Sequence, residues 1–273
     1  MIEMVIYVIS VIALLFVLYL LLLAPADFDK GQGDSLWHFH YAHRGLHTED
    51  MTVPENSLTA FEKAVNAGYG IELDINLTAD DRVVVFHDDT LTRMCGIEKR
   101  IADCTYEEIK ELTLLKTAQH IPLFEDVLKL VDGKVPLIVE LKATNRNAEL
   151  CKLAAQKLDA YKGPYCIESF HPAIVRWFCN NRPGVIRGQL SAGYRNFHGI
   201  PFWQAVILSS LVTNVVTRPH FVAYKHDNAH KRLRLSLYRF IGGRLVAWTV
   251  RDPGDVTYCT KRFDAMIFEF FHP

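Results

Sequence analysis

From Trp37 onward the chain alternates between short β-rich runs and helical patterns, and few folds accept that alternation. The β-rich runs are HFHYAH ending at His43, IELDIN from Ile71, VVVFH ending at His87, PLIVELK from Pro136, YCIESF from Tyr165, VIRGQL from Val185, FVAYK from Phe221, LVAWTV from Leu245 and DAMIF from Asp264. Helical patterns with recognisable ends lie between most of them. Asn56-Ser57 caps a segment whose Leu58, Phe61 and Val65 share a face, with Gly68 as the stop. Thr105-Tyr106-Glu107-Glu108 is a capping box ahead of Ile109 and Leu112. The alternation predicts a parallel sheet with helices outside it. The 237 residues from Trp37 to Pro273 are close to the ~250 of a (β/α)8 barrel. Nine strand candidates are one too many for a simple barrel. Only Thr78 to Arg82 separates the second from the third, too little for a parallel crossover, so that pair is predicted to be antiparallel.

Ahead of this unit, Met4 to Ala24 is a run of 21 residues without a charge. As a helix it is about 31 Å long, against a hydrocarbon core of roughly 30 Å. A cleaved signal peptide is the rival reading, since Ala24-Pro25-Ala26 has the small-x-small form. The run is too long for that, and no Lys or Arg precedes it. The expected organisation is therefore a transmembrane anchor at 4–24, a polar linker at 25–36 and a barrel domain at 37–273. The expected location is the cell membrane, single-pass. The flanking charges, Glu3 against Asp27, Asp29, Lys30 and Asp34, give only a weak bias toward a globular part outside.

Hydrophobic residues make up 50% of the chain and charged residues 22%, which excludes a disordered chain. Thirty Lys plus Arg balance 31 Asp plus Glu, so no global positive field exists to hold nucleic acid, and none is expected as a partner. The six cysteines form no CxxC pair, and several lie in apolar runs as buried thiols do, although their even number leaves disulfides open. Ile200 to Thr217 is a second uncharged run, of 18 residues. It reads as a buried wall helix or an interfacial helix near the barrel mouth rather than a second span. The basic stretch Lys225, Lys231, Arg232, Arg234, Arg239 and Arg244 reads as a solvated face, with an anionic headgroup patch as the alternative.

The chemistry concentrates at strand ends. On a strand, Glu72 and Asp74 point to one side while Ile71, Leu73 and Ile75 point to the other. Glu140 and Lys142 repeat the arrangement in VELK. Three carboxylates converging in a barrel mouth repel one another, and a proton or a cation must relieve that. All-oxygen ligands suit calcium or magnesium better than zinc. For either strand alone, an ordinary salt bridge with Lys142 explains the residues as well. His43 stands where a strand breaks at Gly45, and His87 ends an apolar run. Imidazole titrates near pH 6.5, so one His can accept a proton while another holds one. Arg44 offers a planar fork suited to phosphate. Together these groups read as machinery for displacement at a phosphodiester.

The runs AHRG (Ala42 to Gly45), PENS (Pro54 to Ser57), ELD (Glu72 to Asp74) and VVVFHDDTLTR (Val83 to Arg93) resemble the glycerophosphodiester phosphodiesterase family. IPLFEDVL, VELK, SF and WTV follow in the family's order, so the resemblance covers roughly residues 40 to 270. It implies a distorted TIM barrel that cleaves glycerophosphodiesters to glycerol 3-phosphate and an alcohol. It further implies His43 as proton acceptor and His87 as proton donor. Glu72, Asp74 and Glu140 become the ligands of a divalent cation, Ca2+ or Mg2+, and Arg44 and Lys142 the phosphate contacts. Glu55 supports the first loop or the metal, and Trp248 lines the pocket. The substrate is a glycerophosphodiester or, alternatively, a lysophospholipid held at the membrane. One departure stands out: the family's last strand ends in Thr-Asp or Thr-Asn before Pro, where this chain has Phe268-Glu269. That departure motivates a non-catalytic lipid-binding barrel as the competing reading.

Overall fold

The computed structural model describes residues 1–28, 33–37, 39–229 and 233–273. Among them nine strands form one sheet: β1 (His40–Ala42), β2 (Gly70–Leu77), β3 (Val83–Val85), β4 (Leu137–Leu141), β5 (Tyr165–Ser169), β6 (Arg187–Ser191), β7 (Phe221–Lys225), β8 (Arg244–Val250) and β9 (Ala265–Phe268). Their order is β1-β9-β8-β7-β6-β5-β4-β2, and β1 also pairs with β2, so eight parallel strands close into a barrel. β3 lies antiparallel on β2, with Ile75 opposite Val85. The expected distorted (β/α)8 barrel and its antiparallel extra strand are both present.

The helices are α1 (Ile2–Leu23), α2 (Leu58–Asn66), α3 (Thr92–Cys95), α4 (Tyr106–Ile109), α5 (Phe124–Val131), α6 (Asn147–Asp159), α7 (Pro172–Asn181), α8 (Phe202–Ser210), α9 (Asn214–Thr217), α10 (Leu233–Phe240) and α11 (Val256–Arg262). The two-residue period of β2 sends Ile71, Leu73 and Ile75 outward, where they share a core with Phe61 and Ala64 of α2 and Phe124, Val127 and Val131 of α5. Inside the barrel, Tyr41, Ile138, Cys166, Phe221 and Ile267 fill the amino-end layer beneath the polar residues. Gly188 makes room for this plug, because a Cβ there would sit 2.2 Å from the Phe221 ring. Gly188→Ala is expected to destabilise the protein by roughly 1–3 kcal/mol. Thermal unfolding checks this, and an unchanged melting temperature contradicts it.

The predicted caps form. Ser57 Oγ accepts from the Ala60 N–H at 3.2 Å, and the Glu108 carboxylate accepts from the Thr105 N–H at 2.7 Å. The buried face of α2 is Ala60, Phe61 and Ala64, whereas Leu58 is exposed and Val65 half-buried. The stripe facing the sheet is thus set by Phe61 and two alanines small enough for close packing, and Leu58 falls at its rim.

The uncharged run 200–217 is not one buried helix: Ala205, Ser209, Asn214 and Thr217 are buried, and other side chains face out. Leu211, in the left-handed region at φ +65°, breaks it into α8 and α9. Phe202 and Trp203 on α8 are 69% and 61% exposed. The arginines of the basic stretch are paired while Arg239 and Arg244 stay exposed: both reach Asp264 Oδ1, at 3.3 and 3.0 Å, and Arg234 donates to the Tyr224 hydroxyl at 2.8 Å. Lys231 and Arg232 lie outside the described residues. All six cysteines are free thiols, as the lack of pairing motifs suggests.

α1 is long and apolar enough to cross a membrane. Among the described residues it meets the barrel only through its last turns, where Leu23 is buried and Tyr19 Oη donates to the Ser210 carbonyl at 3.4 Å. Beyond it, the Ala26 N–H bonds the Pro219 carbonyl at 3.1 Å, and Phe28 packs edge-on to Trp37 and His220. Residues 29–32 of the predicted linker lie outside the described residues.

Candidate active site and metal centre

The parallel register of β2, β4 and β5 builds the centre of the site. Asp74 pairs with Glu140, and Glu140 pairs with Glu168, so three carboxylates stand in one inward-facing row across adjacent strands. Glu72 lies one pleat below Asp74. One oxygen from each of Glu72, Asp74 and Glu140 falls within 4.8 Å of the others, and all three residues are buried. The Lys142 ammonium sits 2.8 Å from Glu140 Oε1 and 3.5 Å from Asp74 Oδ1.

The loop after β1 brings in the guanidinium and the first imidazole. His43 donates its N–H to the Phe268 carbonyl at 2.9 Å, which locks the loop onto β9. Arg44 and Gly45 both take positive φ, +53° and +80°. A Cβ at Gly45 would meet Ala60 at 2.9 Å, so only glycine lets the loop pass so close to α2. The left-handed conformation costs an arginine roughly 1–2 kcal/mol. It aims the Arg44 N–H at Glu72 Oε2, 3.0 Å away, and puts the guanidinium 2.7 Å from Glu55 and 3.3 Å from Asp74. Asn56, also at positive φ, donates to Asp74 Oδ2 at 2.9 Å. The PENS run therefore holds Arg44 through Glu55, holds Asp74 through Asn56, and caps α2 through Ser57.

His87 follows β3. Its Nδ1 lies 2.7 Å from Asp88 Oδ1. Arg93 bridges Asp88 to Glu55, with Nε to Asp88 at 2.7 Å and Nη1 and Nη2 to the two Glu55 oxygens at 2.9 and 2.7 Å. One continuous ladder thus runs His87–Asp88–Arg93–Glu55–Arg44–Asp74, tying the two histidine loops to the carboxylate row.

Burial sets the charge balance. Burial, with the neighbouring Asp74, Glu140 and Glu168, pushes the Glu72 carboxyl well above its usual range. Burial and the adjacent Glu140 do the same to Glu168. Burial also opposes ionisation of Asp74, but Lys142, His87 and Arg44 outweigh it and hold that carboxyl well below the usual range. Burial and the Arg44 charge bring the His43 imidazole down to about 4. Arg44 and Lys142 are then the two cations facing four buried carboxylates. An additional positive charge fits this donor set, and oxygen-only ligands fit a hard divalent ion. Glu72 ionised costs the folded chain free energy. Its raised pKa means that the folded state gains stability as pH falls through that value and loses it as pH rises. Glu72→Gln is therefore expected to raise the melting temperature of the chelator-treated protein at neutral pH, by an amount worth about 1–3 kcal/mol. A lower melting temperature contradicts this assignment.

Two acidic residues escaped the sequence reading of the site. Glu168 is a lone carboxylate in YCIESF, and only the strand register reveals its place beside Glu140. Glu269 shows in the sequence only as a departure at the last strand. It lies 3.4 Å from His43 Nδ1, 3.0 Å from His47 Nε2 and 2.7 Å from Arg251. Its carboxylate faces the histidine loop across the β1–β9 seam. Trp248 stands to one side, edge-on to Phe170 at 5.4 Å. A cleft of about 760 Å³ leads from Glu140 and Lys142 past Phe170 and Phe197 to Trp203 and Ile207 of α8.

A closed parallel barrel that gathers a buried carboxylate row, Arg44, Lys142 and two imidazoles at the carboxyl ends of its strands has the organisation of a TIM-barrel enzyme. Residues 43–270 match the Glycerophosphoryl diester phosphodiesterase family, and the chain belongs to it. The putative glycerophosphodiester phosphodiesterase YhdW of Bacillus subtilis is 37% identical over 241 residues, covering 77% of this chain and 85% of that one. A glycerophosphodiester phosphodiesterase of Bacillus altitudinis is 38% identical over 112 residues, 38% of this chain and 44% of that protein. For that relative the match thus spans less than half its length. Among solved structures, the Oleispira antarctica phosphodiesterase in complex with the product sn-glycerol-3-phosphate superposes with a TM-score of 0.69 at 20% identity, covering 84% of this chain and 92% of that one. That likeness concerns the fold.

Proposed function

We propose that the chain hydrolyses glycerophosphodiesters to glycerol 3-phosphate and an alcohol, with a divalent cation held by Glu72, Asp74 and Glu140. The supporting observation is the convergence of those three carboxylates within 4.8 Å at the barrel mouth, beside Arg44 and Lys142. When bound, Ca2+ or Mg2+ neutralises a phosphoryl oxygen and lowers the pKa of a hydroxyl or water. Arg44 and Lys142 orient the phosphate oxygens. His43, with Nδ1 toward Glu269, presents Nε2 as proton acceptor. With Nδ1 held 2.7 Å from Asp88 Oδ1, His87 presents Nε2 as proton donor to the departing alkoxide. Trp248 and Phe170 border the leaving-group side. Assay of purified protein on a glycerophosphodiester, with and without each cation, tests this reading. Product that forms equally well in excess chelator contradicts it.

The pH profile carries a further prediction. The acceptor must be neutral, and His43 loses its proton through about pH 4. The acid limb of kcat/KM is therefore expected near pH 4, below imidazole's ordinary ~6.5, and the donor's need to keep its proton adds an alkaline limb. A steady-state profile from pH 3 to 10 checks this, and an acid limb centred at 6.5 contradicts it.

A lysophospholipid substrate is the second reading, favoured by the apolar side chains Phe170, Phe197, Ile200, Trp203 and Ile207 along the cleft. Turnover of a lysolipid against its deacylated counterpart separates the two. A purely lipid-binding barrel requires that neither is turned over. We also infer that α1 spans the cell membrane once and carries the domain 37–273 on its C-terminal side. In support, this helix of 22 residues packs only its last turns on the barrel.

A further inference from the structure

Two apolar surfaces lie on the same side of the barrel. α9 ends just before β7 begins, at the amino-end face, and Leu23 is fixed there: its carbonyl accepts from Asn214 Nδ2 at 3.5 Å, while the next carbonyl, of Ala24, accepts from Arg218 at 3.5 Å. One turn earlier, Tyr19 bonds Ser210, the last residue of α8. α8 itself begins at the mouth, where Trp203, Gln204 and Ile207 line the cleft that holds Glu140 and Lys142. Traced backward from Leu23, α1 thus passes from α9 to the last residue of α8 before it leaves the barrel. It continues past its packed turns as exposed apolar helix. α8 is exposed at the same end: Phe202 is 69%, Trp203 61% and Val206 40% accessible. No charge occurs between Ile200 and Thr217.

We propose that α8 seats in the interfacial layer of the membrane that α1 crosses, so that the active-site mouth opens onto the bilayer surface. The proposal rests on the reading of α1 as a membrane span. A helix of 9 residues is about 13 Å long, far too short to span. Its aromatic pair and its Gln204, Ser209 and Ser210 suit the boundary between headgroups and acyl chains. The continuity of α8 with α1 through Tyr19 and Ser210 names the bilayer, rather than another protein, as the occupant. The consequence is a substrate class: diesters presented at headgroup level reach Glu140 and Lys142 along α8 without crossing bulk water.

The test is depth-dependent fluorescence quenching. α1 contains no Trp, and the chain has four: Trp37, Trp177, Trp203 and Trp248. The full chain is reconstituted into phosphatidylcholine vesicles with and without lipid brominated near the headgroup end of the acyl chain, and flotation confirms insertion. Quenching is expected in the native chain, amounting to one tryptophan's share of the emission, and is expected to vanish in Trp203→Phe. Equal quenching in both proteins overturns the proposal, as does no quenching in either, the result if α8 faces water or a second copy of the chain. A chain that does not float with vesicles overturns it through α1. Turnover of a soluble glycerophosphodiester by the same vesicles reports separately on the catalytic reading.

Discussion

Replacing either imidazole, as His43→Ala or His87→Ala, is expected to lower kcat on a glycerophosphodiester by roughly 10²–10⁴-fold in protein that still unfolds cooperatively. The size follows from position. His43 lies against Glu269 beside Arg44, and His87 is held by Asp88 at the other end of the Glu55–Arg93 ladder. Their roles predict different rescues. A nitrophenyl leaving group needs no proton, so it is expected to restore most of the rate to His87→Ala and little to His43→Ala. Steady-state kinetics on the natural-type and activated esters reads both. Unchanged turnover in both variants contradicts the catalytic assignment, and equal rescue of both contradicts the division of labour.

Asp74→Asn is expected to be more damaging still, abolishing metal-dependent turnover and destabilising the chain. Asp74 is the hub of the site, within reach of Lys142, Arg44 and Asn56. Its folded pKa lies below its unfolded value, so it contributes stability at neutral pH that is lost only as pH falls through its folded pKa. Removing one partner of buried ion pairs leaves the others uncompensated, at a cost of about 3–5 kcal/mol. The sign is opposite to that expected for Glu72→Gln in the absence of metal. Calorimetry of the two variants in chelator tests the contrast. Two variants that shift in the same direction contradict the charge balance inferred for the site.

The strands were legible because each β-rich run carries its own two-residue alternation, and the short Thr78–Arg82 link excluded a parallel crossover before any coordinates. Glu72 and Asp74 were legible for the same reason: two carboxylates on the inward parity of an otherwise apolar strand have no ordinary explanation. Glu168 was not, because a single acid in a strand carries no signal until the register sets it beside Glu140. The ladder from His87 to Arg44 was hidden because Arg93 and Glu55 meet across 38 positions of sequence. Glu269 was visible only as a missing Thr-Asp pair, and its three partners come from β1 and β8 loops that sequence does not align. The run 200–217 stayed open between a buried and an interfacial helix because an uncharged helix reads alike whether it faces a core or an apolar solvent. Only the exposure of Phe202 and Trp203 separates those cases.

The central claim is that Glu72, Asp74 and Glu140 hold one cation between two working imidazoles at a phosphodiester. Phosphorus NMR of glycerophosphoethanolamine incubated with the purified full chain tests it directly, with Ca2+ or Mg2+ added back after chelation. A glycerol 3-phosphate resonance is expected to appear only with the added cation and to be absent with Asp74→Asn. Activity restored solely by Zn2+, or a product that forms with Asp74→Asn as fast as with the native chain, would contradict it.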